Sequence, residues 1–86
     1  MNRVVLIPLT KPRINRLYKL RGKQLLYPEG IVHLNDTAVK LLSLCDGTRK
    51  IIEIKDVIFD EYGFNFTINQ DLNESFLHFY NNKWIN

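Results

Sequence analysis

The side chains able to do chemistry are few and scattered. Cys45 is the only cysteine, and His33 and His78 are the only histidines. A thiolate beside an imidazole makes a nucleophile, but Cys45 has no histidine near it in sequence. It falls on an apolar stripe, where a thiol is a small buried hydrophobe. One cysteine cannot close an intramolecular disulfide, and two histidines so far apart lack metal-ligand spacing. Asp46 precedes Gly47 and Glu29 follows Pro28, so both read as turn carboxylates rather than as a general acid and base. No Ser-His-Asp set, phosphate loop or carboxylate pair stands out. No catalytic residue, metal site or cofactor is expected. What remains is recognition through backbone edges and apolar surface.

The chain has 86 residues, enough for one small domain and no second. At 45% hydrophobic and 24% charged residues it has the composition of a folded chain rather than a disordered one. A domain of this size rarely encloses a deep dry pocket, which favours a binding module over an enzyme. No window approaches the roughly 20 apolar residues of a membrane helix. The run Val4 to Ile7 is too short for a signal peptide, so the cytoplasm is expected. The net charge of +3 is unevenly spread. Residues 1–28 hold seven bases and no acid, whereas residues 29–86 hold nine acids and five bases. The basic part is either a solvated surface or a docking face for something acidic.

The elements follow from periodicity. Residues 1–13, bracketed by Pro8 and Pro12, read as an extended N-terminal arm that can end in an edge strand. Residues 14–20 and 23–27 alternate as two strands of a hairpin around Arg21-Gly22, and Pro28-Glu29-Gly30 is a second turn. Gly30 to Leu34 is a third, β-branched strand. The period then changes to that of a helix. Asn35 is a good N-cap, followed by Ala38, Leu41, Leu42 and Cys45 at i, i+3, i+4 and i+7. Asp46-Gly47 ends this helix. A second helix, capped by Thr48, buries Ile51, Ile54, Val57 and Ile58 and stops at Tyr62-Gly63. Phe64, Phe66 and Ile68 alternate as an extended link. A third helix, over residues 69–82 and capped by Asn69 or Asp71, carries Leu72, Phe76, Leu77, Phe79 and Tyr80. Trp84-Ile85 is an apolar tail that folds back. The order predicts an α+β domain over residues 14–86. Its expected form is winged-helix-like: a three-stranded antiparallel sheet followed by a three-helix bundle, βββααα.

Specific residues add to this pattern. The run Leu25-Leu26-Tyr27-Pro28-Glu29-Gly30, then Leu34-Asn35 with Thr37-Ala38, then Leu44-Cys45-Asp46-Gly47 with Arg49, resembles the PqqD family. So do Asp71-Leu72 and Phe76-Leu77. The likeness covers about residues 14–86 and is weakest in the arm. One departure is Lys50, which stands where the family often has a hydroxyl residue and removes a capping box with Glu53. The resemblance implies a non-catalytic, winged-helix-like peptide chaperone of pyrroloquinoline quinone biosynthesis. It would hold the ribosomally made precursor peptide PqqA and present it to PqqE, a radical S-adenosylmethionine enzyme. It also implies that the peptide adds as an extra strand beside the third strand, against the third helix.

The residues are compatible with that mechanism. An edge strand offers unpaired amides and carbonyls to an extended guest. Gly30, Ile31, Val32, His33 and Leu34 form such an edge, with no lysine or proline to block pairing. Val32 and Leu34 face one side, Ile31 and His33 the other. Leu72, Phe76, Phe79 and Tyr80 would wall the groove, or else are ordinary core. Val32→Pro is expected to delete a strand donor and abolish binding. Two other readings remain. The same kind of domain can serve a different modified peptide, and a winged helix can bind nucleic acid. The third helix has Asp71 and Glu74 and no Lys or Arg, which is the wrong sign for phosphate, so no nucleic-acid partner is expected. An open edge strand also allows pairing between copies, so a monomer or a weak homodimer is expected.

Overall fold

The computed structural model describes residues 8–86. The elements run β1 (Lys19–Arg21), β2 (Gln24–Tyr27), β3 (Gly30–His33), α1 (Asp36–Ser43), α2 (Ile51–Tyr62) and α3 (Phe66–Asn81). The strands form one antiparallel sheet in the order β1-β2-β3, followed by three helices, the α+β arrangement expected. No helix among the described residues is long and apolar enough to cross a membrane.

The β1–β2 hairpin closes through Gly22 and Lys23. Gly22 takes a φ of 58°, which the primed turn of a two-residue loop requires at its first position. The first strand is shorter than residues 14–20. Asn15 breaks it: its Oδ1 accepts from the Leu17 amide at 3.1 Å and its carbonyl from the Tyr18 amide at 2.8 Å, making a local turn. Residues 13–15 pair elsewhere. Arg13 and Asn86 exchange backbone bonds at 3.3 and 2.8 Å, the Ile14 amide reaches the Cys45 carbonyl at 3.0 Å, and the Asn15 amide reaches that of Trp84 at 2.8 Å. The C-terminal tail is therefore folded back onto the body, and Trp84 and Ile85 are buried. Residues 8–12 lie along the α1–α2 connection, their carbonyls taking the amides of Gly47, Ile51 and Ile52 at 2.9, 2.9 and 3.1 Å. The run Val4 to Ile7 lies outside the described residues.

Each helix start has a physical reason. Asn35 Oδ1 accepts from the Ala38 amide at 2.8 Å, the N-cap expected for α1. Thr48 does not cap α2, because its amide and hydroxyl both donate to Asp46 Oδ1, at 2.9 and 2.5 Å. Lys50 is the N-cap residue, and Glu53 Oε1 accepts its amide at 2.8 Å. That is half a capping box; the arm carbonyls of Thr10 and Pro8 satisfy the next two amides. The helix α3 begins at Phe66, not at 69–71. Asn65 Oδ1 takes the Ile68 amide at 2.8 Å, so Phe66 and Ile68 belong to the first turn and not to an extended link.

Leu25 brings the sheet to the core. Leu41, Leu42 and Cys45 come from α1 and its end, Ile51, Ile54 and Ile58 from α2, and Leu72, Phe76 and Phe79 from α3. Val57 and Leu77 are only half-buried. Full burial of one such side chain contributes about 1.5–3 kcal/mol, so Leu25 on β2 ties the sheet to the helices, and Val32 and Leu34 pack against the same core from the other side of the pair.

Candidate peptide-binding edge and groove

The strand β3 is an outer strand of the sheet. Its partner β2 pairs Leu25 with Val32 and Leu26 with Ile31. The Leu34 amide donates inward to the Lys23 carbonyl at 2.9 Å. In an antiparallel ladder alternate residues point the same way. Gly30 and Val32 therefore bond inward with Leu34, while Ile31 and His33 turn their amides and carbonyls to the free edge. Among the described residues no chain segment covers that edge; residues 8–13 run elsewhere. The side chains divide as expected, with Val32 and Leu34 packed toward the core and Ile31, 53% exposed, and His33 facing outward.

At the end of β3 opens a groove of about 530 Å³. His33 and Leu34 form one wall, and Asn35, Thr37 and Ala38 of the α1 entry continue it. The opposite wall is α3, through Asp71, Glu74, Ser75, His78 and Phe79, with Trp84 at the base. The two aromatics stack with centroids 5.7 Å apart, and His78 meets Trp84 edge-on at 5.1 Å. Asn82 Nδ2 donates to the His78 carbonyl at 2.8 Å, which steadies this end of the helix.

Of the helix residues named from sequence, Phe79 alone lines this groove. Leu72 and Phe76 are core, 2% and 0% exposed. Tyr80 is half-buried on another side of α3, toward Cys45, and its hydroxyl is buried without a partner. Gly30, Ile31 and Val32 lie on the strand beyond the groove mouth. The groove-lining residues of α3 recur at i, i+3, i+4 and i+7 from Asp71, a stripe next to the apolar one. From sequence a polar helical stripe reads as solvated face, which hides these residues; their register beside Leu72 and Phe76 is the available signal.

The remaining reactive candidates stay structural. Cys45 Sγ donates to the Leu41 carbonyl at 3.2 Å, and burial pushes the thiol up to about 12, so no thiolate nucleophile is available near neutrality. Hydrogen bonds from Thr48 hold the Asp46 carboxyl below its ordinary range, as befits a turn residue. Among the described residues no three side chains of metal-ligating type cluster. The site offers hydrogen-bonding backbone and a shaped trough.

A family model, coenzyme PQQ synthesis protein D (PqqD), matches residues 23–85. The chain belongs to the PqqD family. The match spans the second and third strands, all three helices and the returning tail, the elements that build the edge and the groove. A protein of Rahnella aquatilis named PqqA binding protein is 32% identical over 80 residues, covering 86% of this chain and 84% of the relative. A protein of the same name from Methylococcus capsulatus is 39% identical over 61 residues, covering 71% of this chain and 64% of the relative. A third, from Acinetobacter baylyi, is 29% identical over 82 residues, covering 88% and 83%. No solved structure matches. PqqD membership agrees with the resemblance carried by the Leu25–Gly30 and Leu44–Gly47 segments.

Proposed function

We propose that this chain is a non-catalytic peptide chaperone that binds the precursor peptide PqqA by strand addition to β3 and presents it to the radical enzyme PqqE in pyrroloquinoline quinone biosynthesis. The observation that carries the reading is the outward-turned backbone of Ile31 and His33, vacant among the described residues and opening onto the α3 groove. An extended guest gains main-chain hydrogen bonds from that edge, and alternate side chains enter the groove. The relatives' shared name, PqqA binding protein, supports PqqA as the guest. Asp71 and Glu74 on the groove wall disfavour a phosphate backbone as the alternative occupant.

The ladder register changes which variant tests this. The Val32 amide bonds inward, so Val32→Pro breaks the β2–β3 pair and unfolds the sheet. Ile31→Pro and His33→Pro remove donors from the free edge alone. Both are expected to keep a native circular dichroism spectrum and to weaken PqqA binding at least tenfold by titration calorimetry. Native-like affinity in a folded Ile31→Pro, His33→Pro double variant would overturn strand addition. A pull-down of PqqE by the PqqA-loaded protein, lost without peptide or edge, tests presentation.

A further inference from the structure

A second hollow lies between the three helices. It holds about 290 Å³, at the bottom of the roughly 300–1,000 Å³ range of ligand pockets. That is room for one large apolar side chain. The floor is apolar, made by Ile58 of α2 and by Ile68 and Leu72 of α3. At the rim stand Lys40, paired with Glu61 at 3.0 Å, and Tyr62, 65% exposed. Thr37 and Asp71 line this crevice and also line the groove beside β3. The two hollows thus lie side by side, divided by the Thr37–Asp71 ridge. A chain leaving the groove along α3 toward its N-terminus passes directly over the crevice.

We propose that this crevice is a second subsite for the same guest peptide, taking one large apolar side chain outside the strand-paired segment. The inference rests on the strand-addition reading and adds a specificity determinant to it. The shared ridge names the occupant: a guest held in the groove is tethered beside the crevice, at high effective concentration. The charged rim leaves the guest backbone hydrated while the floor takes the apolar group. The spacing is readable too. From His78 to Ile68 is ten helical residues, about 15 Å at 1.5 Å each. An extended peptide covers that in about four to five residues at 3.3 Å each. The anchor therefore sits four to five residues from the guest residue that meets His78.

The test uses the full chain with labelled Ile and Leu methyls and backbone amides. PqqA is titrated intact, and then as variants with each large apolar residue replaced by Ala in turn. With intact PqqA, the Ile58, Ile68 and Leu72 methyls are expected to shift together with the Ile31 and His33 amides. One Ala variant silences the methyl shifts, keeps the amide shifts and binds roughly tenfold more weakly. Ile68→Ala, or Ile68→Val if the former is poorly folded, weakens PqqA similarly and is non-additive with that same peptide variant. If the amides shift and the crevice methyls stay silent, the subsite is overturned and strand addition stands. If every peptide and protein pair is additive, the methyl shifts are indirect and the subsite is likewise overturned. If nothing shifts, both readings fall.

Discussion

Phe79 and Trp84 stack at 5.7 Å with their rings 27° apart, and this pair ties the C-terminal tail to the groove. The chain reverses between them at Lys83, whose φ is 61°. Phe79 is 98% covered, yet it lines the α3 wall of the groove, so core and site share one side chain. Trp84→Ala removes the stacking partner and leaves a cavity under His78. It is expected to cost about 3 kcal/mol in urea unfolding, and Trp84→Phe well under half of that. Because Trp84 is the chain's only tryptophan, its emission reports groove occupancy directly. PqqA titration of the native protein is expected to shift that emission, and a folded Trp84→Phe to bind more weakly. An unchanged emission maximum at saturation would place the guest away from this end.

Gly47 and Arg13 make a second tie, where the arm crosses the α1–α2 turn. Gly47 has a φ of 81°, and a Cβ there would stand 2.7 Å from Arg13 Nε. Two costs separate in a double-mutant cycle. The left-handed conformation costs a non-glycine residue about 1–2 kcal/mol whatever its neighbours. The Arg13 contact involves the outer part of a flexible side chain that can swing away. Gly47→Ala is therefore expected to lose about 1–2 kcal/mol in chemical denaturation, and Arg13→Ala to restore little of it. Near-complete rescue would make the clash the dominant cost.

The sequence disclosed helical faces better than helix starts or site walls. Ala38, Leu41 and Leu42 lie on the packed side of α1 because a 3.6-residue period leaves no other face for them; the helix stops at Ser43, short of the expected Asp46-Gly47, and Cys45 packs into the core just past its end. The start of α3 was hidden because Phe64, Phe66 and Ile68 alternate like a strand, while Asn65, Asn69 and Asp71 are all competent caps. Only packing of Leu72, Phe76 and Phe79 chooses Asn65. Likewise residues 14–20 alternate well enough for one strand, but Asn15 has a side chain that bonds its own backbone, and the partner of Ile14 is 71 positions away at Ile85. The β3 edge was legible from its composition. The groove wall was not, since core residues Leu72 and Phe76 and wall residues Asp71 and Ser75 are neighbours in sequence and differ only by rotation about the helix.

Cys45 gives a pH prediction. Burial is the main cause that raises its thiol from an ordinary value of 9.0 to about 12. A group whose folded pKa is raised contributes stability that is complete below the unfolded pKa and is lost as pH climbs toward the folded one. The affected window is therefore pH 9 to 12, with a slope of ~1.4 kcal/mol per pH unit. Native protein is expected to lose about 1.4 kcal/mol more than Cys45→Ala between pH 7 and pH 10, in urea midpoints at matched salt. Tyr80, whose phenol is raised chiefly by its own burial, is present in both chains and largely cancels. Parallel pH profiles would mean that the thiol ionises freely in the fold.

Lys55 carries the opposite sign. Its Nζ, half-buried between α2 and α3, donates to Asn69 Oδ1 at 3.3 Å and to Asn73 Oδ1. Both partners are neutral amides, so burial lowers the ammonium pKa with no countercharge to offset it. A lysine whose folded pKa is depressed destabilises the fold fully below that pKa, and the penalty fades as pH rises toward 10.5. Asn73→Asp puts a carboxylate where the amide oxygen stands. It is expected to add about 0.5 kcal/mol at pH 7, the range of a partly exposed ion pair, and to raise the Lys55 pKa in an NMR titration of its Cε protons. Lys55→Met keeps the apolar stem and removes the buried charge, so it is expected to be neutral or slightly stabilising at pH 7, while leaving Asn69 and Asn73 free to bond water. A stability loss above about 1 kcal/mol in both variants would mean that the amide-held ammonium, rather than helix packing, fixes the α2–α3 contact.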